Sequence, residues 1–333
     1  MRPQAFRTKI TDLFGIRHPI LCGGLQWLAD ANYVAAVVNA GAMGFITALS
    51  FPGDVDGFRR ELAKCRRLTQ GKPFGVSLSL SRRPGVNDRL DPYIDALLDA
   101  RVEFIETSGD RPDNILLRLK AGGCKVIHKV ASIRNARSVQ SEDVDAITVV
   151  SAEEGGHPGN VLIPQIIQAV LASEAVTKPL VIGGGMGTGQ HICAGLAMGA
   201  DAILMGSRML AAKEIWAHSD YKRQVVASSE ADSVLVMKST GNPHRVMTNN
   251  EAKQVMALEM NGASTFEDFL PHSEGARARN AYLTGKIQTG LMSLGPAAVF
   301  ARKVEPVEII IDQMIDEAIL ATERIQSLMS CAR

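Results

Sequence analysis

The chain has 333 residues, 46% of them hydrophobic and 21% charged, with a formal net charge of +1. That length suits one large domain or a large domain with a smaller companion, and near-neutrality leaves no electrostatic footprint for nucleic acid or an anionic membrane. Five dispersed cysteines without a CxxC pair argue against a disulfide framework and a zinc site, so no metal is expected, and the charged opening MRPQAFRTKITDLFG lacks a signal peptide's apolar core. A reducing, cytoplasmic setting is the expectation.

Short apolar runs recur along the chain: HPILCGGL from His18, AMGFIT from Ala42, PFGVSLSL from Pro73, VEFIETSG from Val102, CKVIHKV from Cys124, DAITVV from Asp145, KPLVIGG from Lys178 and DAILMGS from Asp201. They are rich in Val and Ile and near-continuous rather than alternating, as parallel strands covered by helices are. The apolar stretch over 33–51 has the length of a membrane span. Asn39-Ala40-Gly41 divides it, however, into a helix end and a strand. Amphipathic stretches separate the runs, among them DVDGFRRELAKCRRL (54–68) and NILLRLKAGG (114–123), the latter with a glycine stop.

Eight such units in about 210 residues match a (β/α)8 barrel, whose usual size is about 250 residues. The alternative is an open doubly wound sheet, but no G-x-G-x-x-G follows the first strand. The fold expected is therefore α/β: a TIM-like (β/α)8 barrel over 1–214, with a second, smaller, mostly helical domain. That domain would be a lid over 215–305, including NNEAKQVMALEM (249–260). A C-terminal helix over 306–333 would return to the barrel.

Barrel enzymes place their chemistry at the C-terminal ends of the strands. The first run and the third to eighth lead, in order, to Cys22-Gly23-Gly24-Leu25-Gln26, Ser77 and Ser79, Glu106, His128-Lys129, Gly155-Gly156-His157, Gly183-Gly184-Gly185 and Met205-Gly206-Ser207-Arg208. Glycine-rich turns after strands 7 and 8 expose backbone N–H groups and suit a phosphate, with Ser207 adding a hydroxyl; plain tight turns are the alternative. Gly23-Gly24 allows a planar group to lie flat against the backbone, and Lys129 supplies a cation. A flat ring with a phosphate tail suggests flavin mononucleotide (FMN), whose reduced form a cation stabilises. A Lys129–Glu106 salt bridge is the other reading of the lysine.

His157, cleared by Gly155, Gly156 and Gly159, suits proton transfer at neutral pH. The alternative is a loop histidine bonded to a carbonyl. Glu153 and Glu154 read as loop carboxylates, with orientation of His157 the alternative for Glu154. His18, His128, His191, His218, His244 and His272 read as surface or structural groups, and Cys22 as a small core residue. Met186, Met209 and Met292 either line a pocket or fill the core. Gln26 and Met292 are carried as candidate substrate contacts.

Together TKITDLFGIRHPILCGGLQWLAD, KPFGVSLSL, KVIHKV, EEGGHPG, KPLVIGGGMGTG, ADAILMGSRML and, more weakly, GNPHRVMTNN and LTGKIQTGLMSLGPAA resemble the FMN-dependent nitronate monooxygenase family. That family also holds NADH:quinone reductases and FMN-type enoyl-acyl carrier protein reductases. The resemblance implies FMN contacts at Gly23, Gly24, Leu25, Ser77, Lys129, Gly156, Gly184, Gly185, Gly206 and Ser207. It implies a catalytic role for His157, as base or charge stabiliser beside flavin N5. The implied reaction is oxidation of alkyl nitronates with O2 to carbonyl compounds and nitrite. Two alternatives remain: a reductase for quinones or enoyl thioesters using NADH or NADPH, and a flavin-binding barrel without turnover. A small-molecule substrate is the expected partner, and a homodimer the expected assembly. Departures from the family pattern are Cys22 for glutamine, Leu25 for methionine, Ser77 for the asparagine of F-G-V-N, and Gly187-Thr188-Gly189 for A-D-G.

Overall fold

The structure, a computed structural model, describes residues 4–81 and 85–329. Eight parallel strands pair in sequence order: β1 (Ile20–Cys22), β2 (Met43–Thr47), β3 (Gly75–Leu80), β4 (Phe104–Gly109), β5 (Lys125–Val130), β6 (Ala146–Val150), β7 (Leu180–Gly183) and β8 (Ala202–Met205). Ile20, Leu21 and Cys22 pair with Ile203, Leu204 and Met205, which closes the sheet into a barrel and disposes of the open-sheet alternative. Each strand lies within one of the apolar runs.

Side chains alternate across a strand, so every second residue points inward. The lower inward positions are apolar: Leu21, Met43, Phe45, Phe104, Ile127, Ala146, Val181 and Ala202 form one cluster. The short helix α1 (Lys9–Phe14), started by a Thr8–Thr11 capping box, plugs this end. Its Phe14 ring sits 4.7 Å from Phe104 and 6.5 Å from Phe45. Burying each such ring contributes about 1.5–3 kcal/mol.

Outside lie α2 (Ala31–Asn39), α3 (Val55–Leu68), α4 (Asp91–Asp99), α5 (Asp113–Ala121), α6 (Ile133–Val139), α7 (Gln165–Ala175) and α8 (Gly189–Ala197). α3 shows the local logic. Asp54 accepts from Gly57 N at 2.7 Å to start it, and Phe58, Leu62 and Cys65, spaced at helical period, form its buried face. The apolar stretch over 33–51 divides into α2 and β2, as its Asn-Ala-Gly break predicts.

Beyond β8 come α9 (Ser219–Val226), a strand pair β9 (Ser233–Val236) and β10 (His244–Met247), then α10 (Asn250–Met260), α11 (Phe266–Ser273) and α12 (Gly275–Thr284). They share a small core of their own, including Val236, Val246, Val255, Phe269 and Leu291. The strand pair was not among the expectations. Its four-residue strands are half-exposed, too short to carry a period. β10 is stitched to the barrel: Arg245 N donates to Gly156 O at 2.6 Å, and Gly156 N to Arg245 O at 3.0 Å. The final helix α13 (Val307–Leu328) packs on α8 and α2. A Cβ at Gly189 would stand 2.2 Å from Met314 O, so only glycine lets α8 approach that closely. Among the described residues no helix is long and apolar enough to cross a membrane.

Candidate active site

Two residues further up the same strands the interior changes character. The inward positions become Gly23, Thr47, Ser77, Glu106, Lys129 and Thr148. Glu106 is 1% exposed. Its Oε2 accepts from Ser77 Oγ at 2.8 Å and from Gly24 N at 3.3 Å. A Cβ at Gly24 would lie 2.6 Å from Ser77 Cβ and 2.9 Å from Thr47 Oγ1, so this close approach requires glycine.

Lys129 Nζ sits 3.5 Å from Glu154 Oε1, both side chains mostly buried. The sequence had offered Glu106 as the salt-bridge partner. The pair forms instead with Glu154, because the loop after β6 folds back over the mouth, and Glu106 acts on the lysine through its field. Burial pushes the Lys129 ammonium down, but Glu106 and Glu154 together outweigh it and hold its pKa above the ordinary value. Glu154 is raised to about 7: burial is the main cause and Glu106 adds to it, against the pull of Lys129.

His157 stands exposed at the mouth, in the loop after β6. Its Nδ1 is 3.1 Å from Pro243 O. A carbonyl only accepts, so Nδ1 carries the hydrogen and Nε2 keeps its lone pair. Glu154 does not orient this ring, since its carboxylate is engaged with Lys129. The ring stacks on His244, 4.6 Å between centroids at 21°, and His244 Nε2 lies 2.8 Å from Ser293 Oγ. Close packing by protein lowers the pKa of His157, which the Pro243 carbonyl opposes and Lys129 reinforces. His244 is held further down, by burial and then by His157. The catalytic candidate is thus a neutral imidazole with one nitrogen bare. The sequence placed His244 among the structural histidines. The GNPHRV segment that supplies Pro243 and His244 was noticed, but nothing local signals a contact across 86 residues.

The glycine turns after β7 and β8 form the opposite corner. Gly184 and Gly185 hold φ of +97° and +73°, so their amides face directions open to few other residues. A Cβ at Gly206 would meet only Leu25 Cδ2, at 3.7 Å, which leaves that face open. Ser207 Oγ accepts from Gly295 N at 2.7 Å and retains its own proton to donate. A Cβ on Gly155 would lie 2.5 Å from Gly295 N, so Gly295, which sequence reasoning missed, is part of this corner. Beneath it Arg208 Nη2 lies 3.8 Å from Glu305 Oε2, both buried. Left-handed glycine amides, an open glycine face and a free hydroxyl proton fit a phosphate group. The Gly23-Gly24 backbone, with polar atoms beneath it, fits a flat ring.

The other candidates scatter. Leu25 is half-buried beside Gly206, and Gly156 lies in the loop beside His157. Gln26 is exposed, and its amide donates to Leu49 O at 3.0 Å. Met292 is fully buried in the main core rather than at the mouth, as is Met209, and Met186 is nearly so. Flexible methionines fill core gaps, and the burial of all three is compatible with that role. His128 is buried on the helix side against Thr107 Oγ1 at 2.8 Å. His191 belongs to the capping box of α8, and His272 pairs with Glu251. Burial pushes the Cys22 thiol up to about 12, against a bond from Tyr33, so it is no nucleophile. Among the described residues no cluster of three side chains could hold a metal.

Comparison with known proteins agrees with this architecture. The nitronate monooxygenase family profile matches residues 7–317. A Rhodococcus jostii protein named (3aS,4S,5R,7aS)-5-hydroxy-7a-methyl-1-oxo-octahydro-1H-indene-4-carboxyl-CoA dehydrogenase is 32% identical over 260 residues, covering 78% of this chain and 70% of that one. A probable nitronate monooxygenase of Staphylococcus saprophyticus is 26% identical, covering 73% and 79%. The structure of FabK from Thermotoga maritima superposes with a TM-score of 0.87 at 30% identity, covering 98% of this chain and all of that one. A barrel of this topology, a stacked histidine pair at its mouth and a profile match over nearly the whole length lead to one assignment: the chain is an oxidoreductase belonging to the nitronate monooxygenase family.

Proposed function

We propose that the protein is an FMN-dependent oxidoreductase acting on an acyl-CoA thioester, with His157 moving the proton on the carbon next to the thioester carbonyl. The observation that carries this reading is the imidazole itself: Nδ1 committed to Pro243 O, Nε2 without a hydrogen bond among the described residues, and the pKa held below the ordinary value, so the ring is neutral near pH 7. A neutral imidazole takes a proton from a weak C–H acid; it does not offer a positive charge to an anion. Beneath it the Lys129 ammonium is already matched by the Glu106 carboxylate and by Glu154, which is about half-protonated near pH 7, so no net positive charge is left to hold an anion. This favours an uncharged reacting group over an anionic nitronate. The dehydrogenase relative from Rhodococcus, by its name a carboxyl-CoA enzyme, supports the thioester.

In this reading Gly184, Gly185, Gly206 and Ser207 hold the phosphate of FMN. Gly23, Gly24, Leu25 and Gly156 would bound the ring, and Lys129 would supply a cation to its reduced form. Bound FMN would supply two-electron acceptance and donation. His244 and Pro243 fix the plane and tautomer of His157, and the strand hooked to Gly156 keeps that loop in place.

The second reading is oxidation of a nitronate with O2, which the family and the Staphylococcus relative favour. NADH or NADPH would be needed only in the reductive direction. Anaerobic absorbance of the FMN-reconstituted protein separates these. Bleaching by short-chain acyl-CoA is the expected result. Bleaching by ethylnitronate alone would move the assignment to the second reading, and bleaching by NADH or NADPH alone to a reductase. A flavin that ignores all of them would leave a binding barrel, and failure to retain FMN would overturn the cofactor.

A further inference from the structure

Glu106 does nothing in the reading above except lend its charge, yet it is the most enclosed ionisable group of the mouth. One oxygen is satisfied by Ser77 and Gly24. The other, Oε1, is buried and has no hydrogen-bond partner among the described residues. A Cβ on Gly23 would meet it at 3.3 Å, so Oε1 is aimed at the glycine floor on which the flat ring would rest. An ionised carboxylate is a pure acceptor, and leaving one of its oxygens bare in a buried site costs free energy unless a donor arrives with the ligand. Nearby, Thr47 Oγ1 is likewise buried without a partner among the described residues.

We propose that Glu106 is the acceptor for the N3–H of the cofactor's pyrimidine ring, and so a determinant of which flavin is bound and how readily it is reduced. The inference rests on the FMN reading. The donor must be an N–H or O–H of the ligand. FMN has N3–H on its ring and hydroxyls on its ribityl chain. The hydroxyls lie toward the phosphate, whose corner is built by β7 and β8, whereas Glu106 rises from β4, on the far side of an eight-stranded barrel. The pyrimidine edge presents a carbonyl next to N3–H. Neighbouring strands present the complement: the Lys129 ammonium on β5 for the carbonyl and the Glu106 carboxylate on β4 for the N–H. Ser77, where the family's asparagine would stand, then acquires a purpose. Its small hydroxyl leaves room for the carboxylate and holds it by one oxygen, so that the other faces the ligand.

N3-methyl-FMN, which lacks the donor, tests this on the unmodified protein. FMN should bind at least tenfold more tightly than N3-methyl-FMN, measured by fluorescence titration of the apoprotein. Glu106→Ala, which removes the acceptor and opens space for the methyl group, should bring the two flavins within threefold. Glu106→Gln keeps the shape but removes the charge that opposes electron uptake. It should shift the reduction equilibrium toward reduced flavin about tenfold, about 30 mV for a two-electron couple. Equal binding of both flavins by the unmodified protein would overturn the proposal while leaving the cofactor in place, and needs no variant. So would a Glu106→Gln protein whose potential is unmoved. Failure of either flavin to bind would instead sink the FMN reading beneath it.

Discussion

The two layers of side chains inside the barrel are two residues apart on the same strands, and their chemistry is opposite. Leu21, Met43, Phe45, Phe104 and Ile127 form the lower layer; Gly23, Thr47, Ser77, Glu106 and Lys129 form the upper. The lower layer is dry, sealed by Phe14, and holds the strands together. The upper carries buried oxygens without partners among the described residues, opposed charges and a glycine whose added Cβ would crowd Leu204 and Glu106. Polar groups buried in that state are a cost in stability. The barrel meets it from below, so that a fixed arrangement of charge and open backbone survives at the mouth. Changes in one layer should therefore register as activity or ligand binding, and changes in the other as stability.

The largest expected effect lies at the rim. His157→Ala should lower turnover by about 10²–10⁴-fold, the usual contribution of a positioned general base. The change also removes the stack on His244 and the bond to Pro243 O, so denaturant unfolding should show a loss of about 1–2 kcal/mol, with the protein still folded. Unchanged turnover would remove His157 from the chemistry. Phe104→Ala is the converse. It deletes a ring packed 4.7 Å from Phe14 and should cost about 3–5 kcal/mol of unfolding free energy. The protein that remains folded should bind FMN as before; a large loss of affinity would mean that the layers are not separable.

Gly24→Ala probes the boundary between them. Its Cβ would stand 2.6 Å from Ser77 Cβ, so it must push the strand-3 side chain away from Glu106. Overpacking of this kind costs about 1–3 kcal/mol. FMN retention, read from the visible spectrum after gel filtration, should fall more than stability does. A variant that keeps its flavin would show that the glycine serves packing alone.

What the sequence made legible follows the same division. Near-continuous Val and Ile runs announce buried parallel strands, because both faces are covered, so all eight strands were readable. Glycines at strand ends announce the phosphate corner, because backbone conformation constrains residue type there. Partnerships between distant segments have no such signature. The stacking of His157 on His244, the closure of Ser207 by Gly295 and the pairing of Lys129 with Glu154 rather than Glu106 depend on where loops land. Met292 shows the limit of side-chain type as a guide, since an apolar flexible residue serves core and pocket equally well. The β9–β10 pair was invisible because four half-exposed residues carry no period.

The smallest expected effect concerns proton binding rather than shape. Glu154 titrates from an ordinary value of 4.5 when unfolded to about 7 in the folded protein, chiefly because burial disfavours its charge. Between those values the folded protein binds the extra proton. The contribution of Glu154 to stability is therefore complete below about 4.5 and is lost as pH rises through 7. Glu154→Gln, a neutral group of the same shape, should flatten the decline in unfolding midpoint between pH 5 and pH 8, to an extent set by how firmly Lys129 holds the ionised form. Lys129 still faces Glu106 in that variant, so its own charge should persist. An unaltered pH profile would mean that Lys129 keeps Glu154 ionised throughout. The mouth would then carry its full two-to-one excess of carboxylate at neutral pH, and the preference for an uncharged substrate should be at its strongest.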